Sequence, residues 1–135
     1  MTAKTDFVDE ASALLGTRGF TTDPELVSPW LTDWRGRFSG AAIGMASPSS
    51  TDEVAALVKL CVVHHVAIVP QGGNSGMSGG ATPDESGDAI VLSLRRMNAI
   101  VALDRDEQTT TCEAGVILQT LHEAAANAQL RFPLT

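Results

Sequence analysis

The residues best placed to do chemistry lie within 70–81, PQGGNSGMSGGA, where Gly72, Gly73, Gly76, Gly79 and Gly80 fall within nine positions. Glycine has no Cβ, so the backbone of such a stretch can approach a ligand closely, and consecutive N–H groups in a turn form a concave anion site. Asn74, Ser75 and Ser78 add short hydrogen-bonding side chains, and neither Lys nor Arg occurs between Pro70 and Ala81. A phosphate held here would be held by amides and hydroxyls. The nucleoside-triphosphate loop ends in Gly-Lys-Ser/Thr, but Gly80 is followed by Ala81 and Thr82. The dinucleotide fingerprint G-x-G-x-x-G opens a helix. Here Gly73, Gly76 and Gly79 recur every third residue, and Pro83 and Gly87 follow. What remains is a glycine-rich anion loop between two strands, because a flexible linker would lack a buried strand on each side.

Other reactive side chains give less. His64 and His65 are adjacent, and neighbours on a helix point in different directions, so a shared metal ion is not expected. Cys61 and Cys112 make neither a disulfide framework nor a zinc pattern, and Cys112 reads as a small buried hydrophobe. His122 reads as a surface residue. Arg95-Arg96, the paired basic residues, could reach a phosphate but read as a solvated surface pair. Trp30 and Trp34 read as packing the N-terminal segment onto the domain rather than as a ligand platform.

Several elements must position the loop. A helix is expected over 6–15, with Phe7, Ala11, Leu14 and Leu15 on one face and Gly16 as its stop. Asp23-Pro24 marks a turn or helix start. Residues 41–45 read as a buried strand closed by Pro48. Ser50-Thr51-Asp52-Glu53 has the capping-box pattern, opening a helix striped by Val54, Leu57, Val58, Cys61 and Val62. Residues 66–69 read as the next strand, so strand, helix and strand form a right-handed parallel crossover. The loop then leaves the carboxyl end of that strand, where open α/β sheets bind ligands. Residues 89–93 read as a third buried strand. Residues 100–103 and 109–112 form a hairpin about 104–107. Gly115 ends the hairpin, and Leu118, Leu121, Ala125 and Ala128 line one face of a last helix.

Within this frame, 70–83 resembles the phosphate-binding loop of flavin-linked oxidases and dehydrogenases of the vanillyl-alcohol-oxidase, or PCMH, type. It is most similar to the branch of D-2-hydroxyglutarate dehydrogenase, D-lactate dehydrogenase and the glycolate oxidase flavin subunit. The resemblance runs from Trp34 to the last residue. It includes SPSSTDEVAALVKLC, IVLSLRRMNAIVALD, CEAGVILQTL and the closing FPLT. It implies an α+β fold: the first subdomain of a PCMH-type FAD-binding domain, with a short parallel β-α-β sheet, then a β-hairpin and a helix, the second subdomain being incomplete. It places an N-terminal helical segment at 1–37 and the FAD-binding part at 38–135. It implies FAD cradled by Pro70, Gln71, Gly72, Gly73, Asn74, Ser75, Gly76, Met77, Ser78, Gly79 and Gly80, with Gly115 and Pro133 lining the cofactor more distantly. Asn74 stands where some relatives carry a histidine bonded to flavin, so non-covalent FAD is expected. No catalytic residue is assigned. The substrate, a D-2-hydroxy acid oxidised to the 2-keto acid, would be held by sequence beyond Thr135, and the electron acceptor is unassigned. The chain by itself is expected to bind flavin weakly or not at all, to lack dehydrogenase activity and to self-associate as a homo-oligomer. The alternative class is a small non-enzymatic module that binds an anion or nucleotide.

Composition bounds these readings. With 135 residues, 44% of them hydrophobic, one domain with a core is expected. A net charge of −7 argues against nucleic-acid binding. No run approaches the roughly 18 apolar residues of a transmembrane helix. Residues 1–16 read as neither secretory signal nor transit peptide, which makes the cytoplasm the expected compartment.

Overall fold

Five small or apolar residues in succession need cover on both faces, and Ala89–Ser93 (β4) finds it: every one of them is buried. The computed structural model describes residues 3–134; Met1, Thr2 and Thr135, the last residue of the FPLT motif, lie outside the described residues. Helix α1 (Ala3–Gly19) leads into the two-residue strand β1 (Phe20–Thr21), helix α2 (Pro24–Val27) and a 3-10 turn, Ser28–Trp30. Strand β2 (Gly44–Ala46), helix α3 (Thr51–His64) and strand β3 (Ala67–Gln71) precede β4. Strands β5 (Ile100–Asp104) and β6 (Thr109–Cys112) and helix α4 (Leu118–Asn127) follow it. The α+β class holds, with a parallel sheet, a hairpin and a final helix.

The four-stranded sheet has the order β1-β2-β4-β3, with β2 and β3 both parallel to β4 and β1 antiparallel to β2. The two strands flanking α3 are therefore not neighbours, because the all-buried β4 takes the place between them. Strand β3 sits at the edge, where Pro70, which has no N–H to donate, is tolerated. Alternation along β4 sends Ile90 and Leu92 into one core and Val91 into another. The first core contains Phe7, Ala11 and Leu15 of α1 and Leu57 and Cys61 of α3. The second contains Val27 and Met45, with Trp30, Leu31 and Ala42 packed against it.

Several local expectations shift. Helix α1 is longer than 6–15 and continues past a break at Gly16, whose φ is 68°. Leu14 lies on its outer side, exposed. Residues 41–43 are not strand; β2 starts at Gly44. The third strand begins at Ala67 and carries on through Pro70 and Gln71 because both pair with β4, at Leu92 and Ser93. On α3, Leu57 and Cys61 are buried while Val58 and Val62 face outward, so the apolar stripe is narrower than the periodicity implies. The capping box is displaced by one residue. Ser50 Oγ accepts from the Glu53 N–H, but the Glu53 carboxylate accepts from the N–H and hydroxyl of Ser49. Those bonds hold the Glu53 carboxyl below its ordinary range. Trp30 packs as expected, whereas Trp34 is 60% exposed. Cys112 is exposed, on a hairpin that buries none of its strand residues.

Candidate functional site

Strands β3 and β4 end side by side, with Gln71 opposite Ser93, and the glycine loop and residues 94–98 leave from these two ends. Gln71, 2% exposed, turns its side-chain Nε2 to the carbonyls of Trp30 and Ala81, both at 2.9 Å. It thus ties the loop's exit back to its base. Asn74, at φ 54°, donates from Nδ2 to the Thr32 carbonyl at 2.9 Å. Exchanging its amide atoms would set two acceptors against each other, so the orientation is fixed. Its Oδ1 is buried with no donor among the described residues.

Residues 31–40 back the loop. Asp33 Oδ1 accepts from the N–H of Phe38 at 2.8 Å and of Arg37 at 2.6 Å, and Oδ2 from that of Arg35 at 3.3 Å. Led by the Phe38 N–H, these donors hold the Asp33 carboxyl below its usual range. The turn they fix places Phe38 against Gly79, where a Cβ would lie 3.0 Å from the ring and φ is +77°.

From the other side comes the turn after β6. Gly115 donates to the Met97 carbonyl at 2.8 Å, and a Cβ at 115 would overlap the Leu94 carbonyl oxygen. Only glycine permits this approach, and it closes a cavity of about 620 Å³. Gly72, Gly73 and Ser75 line it from the loop, Gly115 and Ile117 from the turn, and Arg95 from the end of β4. Gly72, Gly73, Gly76 and Gly80 have nothing within 4 Å of where a Cβ would sit, and none of them has the positive φ of Gly79. Their missing side chains therefore leave space rather than relieve strain. At Gly72 and Gly73, which line the cavity, an anion can approach the bare backbone.

Among the expected site residues, Gly72, Gly73, Ser75 and Gly115 come together on this cavity. Gln71, Asn74 and Gly79 shape the loop, and Met77 is exposed. Pro133 lines a second cavity of about 750 Å³, with Phe132, Leu121 and Thr109. The arginine pair is not simply solvated. Arg96 donates from Nη1 to the Ser47 carbonyl at 2.7 Å, and Arg95 lies over the Trp30 ring, 3.7 Å from its centroid. Arg95 lines the cavity where the sequence suggested a solvated surface pair; its position two residues past a buried strand was the available signal. His64 contacts Glu10 at 3.2 Å and the Phe7 ring, and His122 reaches the Leu134 carbonyl at 2.7 Å. Among the described residues no three His, Cys, Asp or Glu side chains could share a metal ion, and no helix is long and apolar enough to cross a membrane.

Comparison with known proteins agrees with this geometry. The model of the family described as "FAD binding domain" matches residues 42–135. A protein named "Probable D-2-hydroxyglutarate dehydrogenase, mitochondrial", from Oryza sativa subsp. indica, is 35% identical over 129 residues, 96% of this chain and 23% of its own length. The mitochondrial D-2-hydroxyglutarate dehydrogenase of Arabidopsis thaliana is 34% identical over 108 residues, 80% of this chain and 19% of its own. The chain thus spans about a fifth to a quarter of these relatives. The crystal structure of p-cresol methylhydroxylase with substrate bound superposes with a TM-score of 0.81 at 23% identity, over 95% of this chain and 25% of that one, which shows the shared fold.

Proposed function

The chain belongs to the FAD binding domain family, and on that premise we propose that it is the diphosphate-holding part of a flavin-dependent dehydrogenase acting on D-2-hydroxy acids. One observation carries the reading: Gly72 and Gly73, with open space where a Cβ would sit, line a cavity closed from the opposite side by Gly115. In this proposal the FAD-binding part is 38–135, with 1–37 as a helical segment packed on it. Residues 70–80 cradle the diphosphate through their N–H groups and the Ser75 and Ser78 hydroxyls. Gly115 lets the turn after β6 close over the cofactor, and Pro133 lies farther along it. Bound FAD would supply hydride acceptance from the substrate's α-carbon. The residues of this chain bind and orient it, and none is assigned a proton-transfer role. Asn74 offers a carboxamide turned toward Thr32, which is no nucleophile, so the flavin is held without a covalent bond and leaves with the supernatant when the protein is denatured and precipitated.

The substrate class rests on the relatives' names, and D-2-hydroxyglutarate, D-lactate and glycolate are the acids to test. By itself the chain binds FAD weakly or not at all, turns over none of the three, and self-associates through exposed Val101, Ile117 and Leu134. The cytoplasm is the proposed compartment, although both plant relatives are named mitochondrial; cell fractionation decides it. A chimera tests the activity: these 135 residues replace the matching segment of the Arabidopsis enzyme. The proposal expects FAD to be retained and D-2-hydroxyglutarate to be oxidised. A folded chimera without FAD would refute it. The rival, a non-enzymatic anion-binding module, would give a chimera that holds FAD no better than the segment's deletion.

A further inference from the structure

We propose that Arg95 is the cationic partner of the cofactor's diphosphate, held ready by the Trp30 ring; the inference rests on the FAD reading above and adds to it a residue and a charge. The loop contains no cation of its own, and the chain carries a net charge of −7. A diphosphate bound only by amides would sit in an unfavourable overall field. Arg95 lies on the same cavity as Gly72 and Gly73. Its guanidinium stacks 3.7 Å from the Trp30 centroid, and its Nε donates to Ser93 Oγ at 3.1 Å. Ser93 is itself buried at the end of β4. These two contacts fix the plane of the fork while leaving its terminal amino groups unassigned, and a planar fork matches phosphate oxygens two at a time.

The support behind Arg95 is continuous with the loop. Trp30 passes its carbonyl to the Gln71 side chain, and Gln71 pairs with Ser93 across the strands. Trp30 is thus a positioning residue and Arg95 a binding residue. The arrangement favours ligands that carry a diphosphate over those that carry only a ring system.

The test is an NMR titration of the full 135-residue chain with FAD, ADP, adenosine and inorganic pyrophosphate, following the Arg95 Nε–H, the Trp30 indole N–H and the loop amides. FAD, ADP and pyrophosphate should shift Arg95 together with Gly72 and Gly73, and adenosine should not. Arg95→Gln should weaken FAD and ADP at least about tenfold, the scale of a lost charge-assisted hydrogen bond. It should leave adenosine unchanged, and Arg95→Lys should recover part of the loss. Trp30→Leu should weaken binding less and make it more salt-sensitive. Loop amides that respond to FAD while Arg95 stays still, with Arg95→Gln binding like the parent, would overturn the inference and leave the FAD reading intact. Should the loop amides of the isolated chain ignore FAD, Arg95→Gln is read in the chimera, where undiminished FAD retention would overturn the inference and a parent chimera without FAD would overturn both. Should Arg95→Gln unfold, the parent's own Arg95 response still decides.

Discussion

Residues 3–97 and residues 98–134 are two kinds of structure joined at one seam. In the first, β4 is buried from end to end, and Phe7, Leu57 and Ile90 are fully enclosed. In the second, β5 and β6 contain no buried residue, and α4 buries only Leu121 and Ala125. A two-stranded hairpin has marginal stability unless packed on something. Here Gly115 ties it to the first region by donating to the Met97 carbonyl. The cavity lies on that seam, its glycine loop on the firm side and its Gly115 turn on the soft side. The glycine loop, itself without a buried residue over 72–80, is anchored at its root by the buried Gln71, whereas the strands of the hairpin bury nothing.

The largest test of the contrast removes a core ring. Phe7 packs edge-on against Phe20, 6.1 Å between centroids. Phe7→Ala should cost about 3–5 kcal/mol, a large share of the ~5–15 kcal/mol that holds a domain. Urea denaturation followed by circular dichroism reads it. Leu121→Ala, the corresponding truncation in the second region, should loosen that region and leave exchange in β4 unchanged. Equal global losses from both would erase the distinction.

Next come the loop glycines, which separate binding from folding. Gly73→Val or Gly76→Val meets open space at an ordinary φ, so in the flavin-competent chimera the fold should persist while FAD binding is lost. Gly79→Ala places a side chain at φ +77° against Phe38 and should cost about 1–2 kcal/mol of stability. Calorimetry of stability and of FAD binding on the same samples sorts these outcomes; undiminished FAD affinity in Gly73→Val would remove the loop from the site.

Asp33 gives a smaller, pH-dependent effect. Its carboxyl is lowered from 3.8 in the fold. The stability it contributes is therefore present above that value and lost as pH falls through its folded value. Asp33→Asn should flatten the acid limb of a stability–pH curve, and an unchanged limb would show that the turn does not depend on the ionised carboxylate.

The cysteines divide the same way, with the least effect on the protein. Burial pushes the Cys61 thiol up to about 11, while Cys112 is exposed. A thiol reagent at neutral pH should modify Cys112 at once and Cys61 only on unfolding. Any stability linked to Cys61 is present below its ordinary 9.0 and declines as pH rises toward about 11. Simultaneous labelling of both would contradict the buried core.

The sequence made the firm region legible where periodicity and burial agreed. Residues 89–93 emerge as a buried strand, and the Asp23-Pro24 helix start appears as Asp23 capping the Glu25 N–H. Legibility failed where a contact is non-local. The insertion of β4 between β2 and β3 depends on which strand needs two neighbours, and no local pattern states that. Strand β1 consists of two residues that acquire their conformation from pairing with β2. The glycine loop was visible from composition, but the stacking of Arg95 on Trp30, 65 positions earlier in the chain, was not. Cys112 sits in a run of β-formers that suggests burial, and nothing in that run reveals that the hairpin lacks a partner.

Hydrogen–deuterium exchange of the whole chain, with and without millimolar FAD, tests the seam most directly. The account predicts slower exchange in residues 72–76 and in 113–118 together, with β5 and β6 gaining protection as the cover closes and β4 unchanged. Protection at the glycine loop alone, with 113–118 and the hairpin exchanging as before, would contradict it.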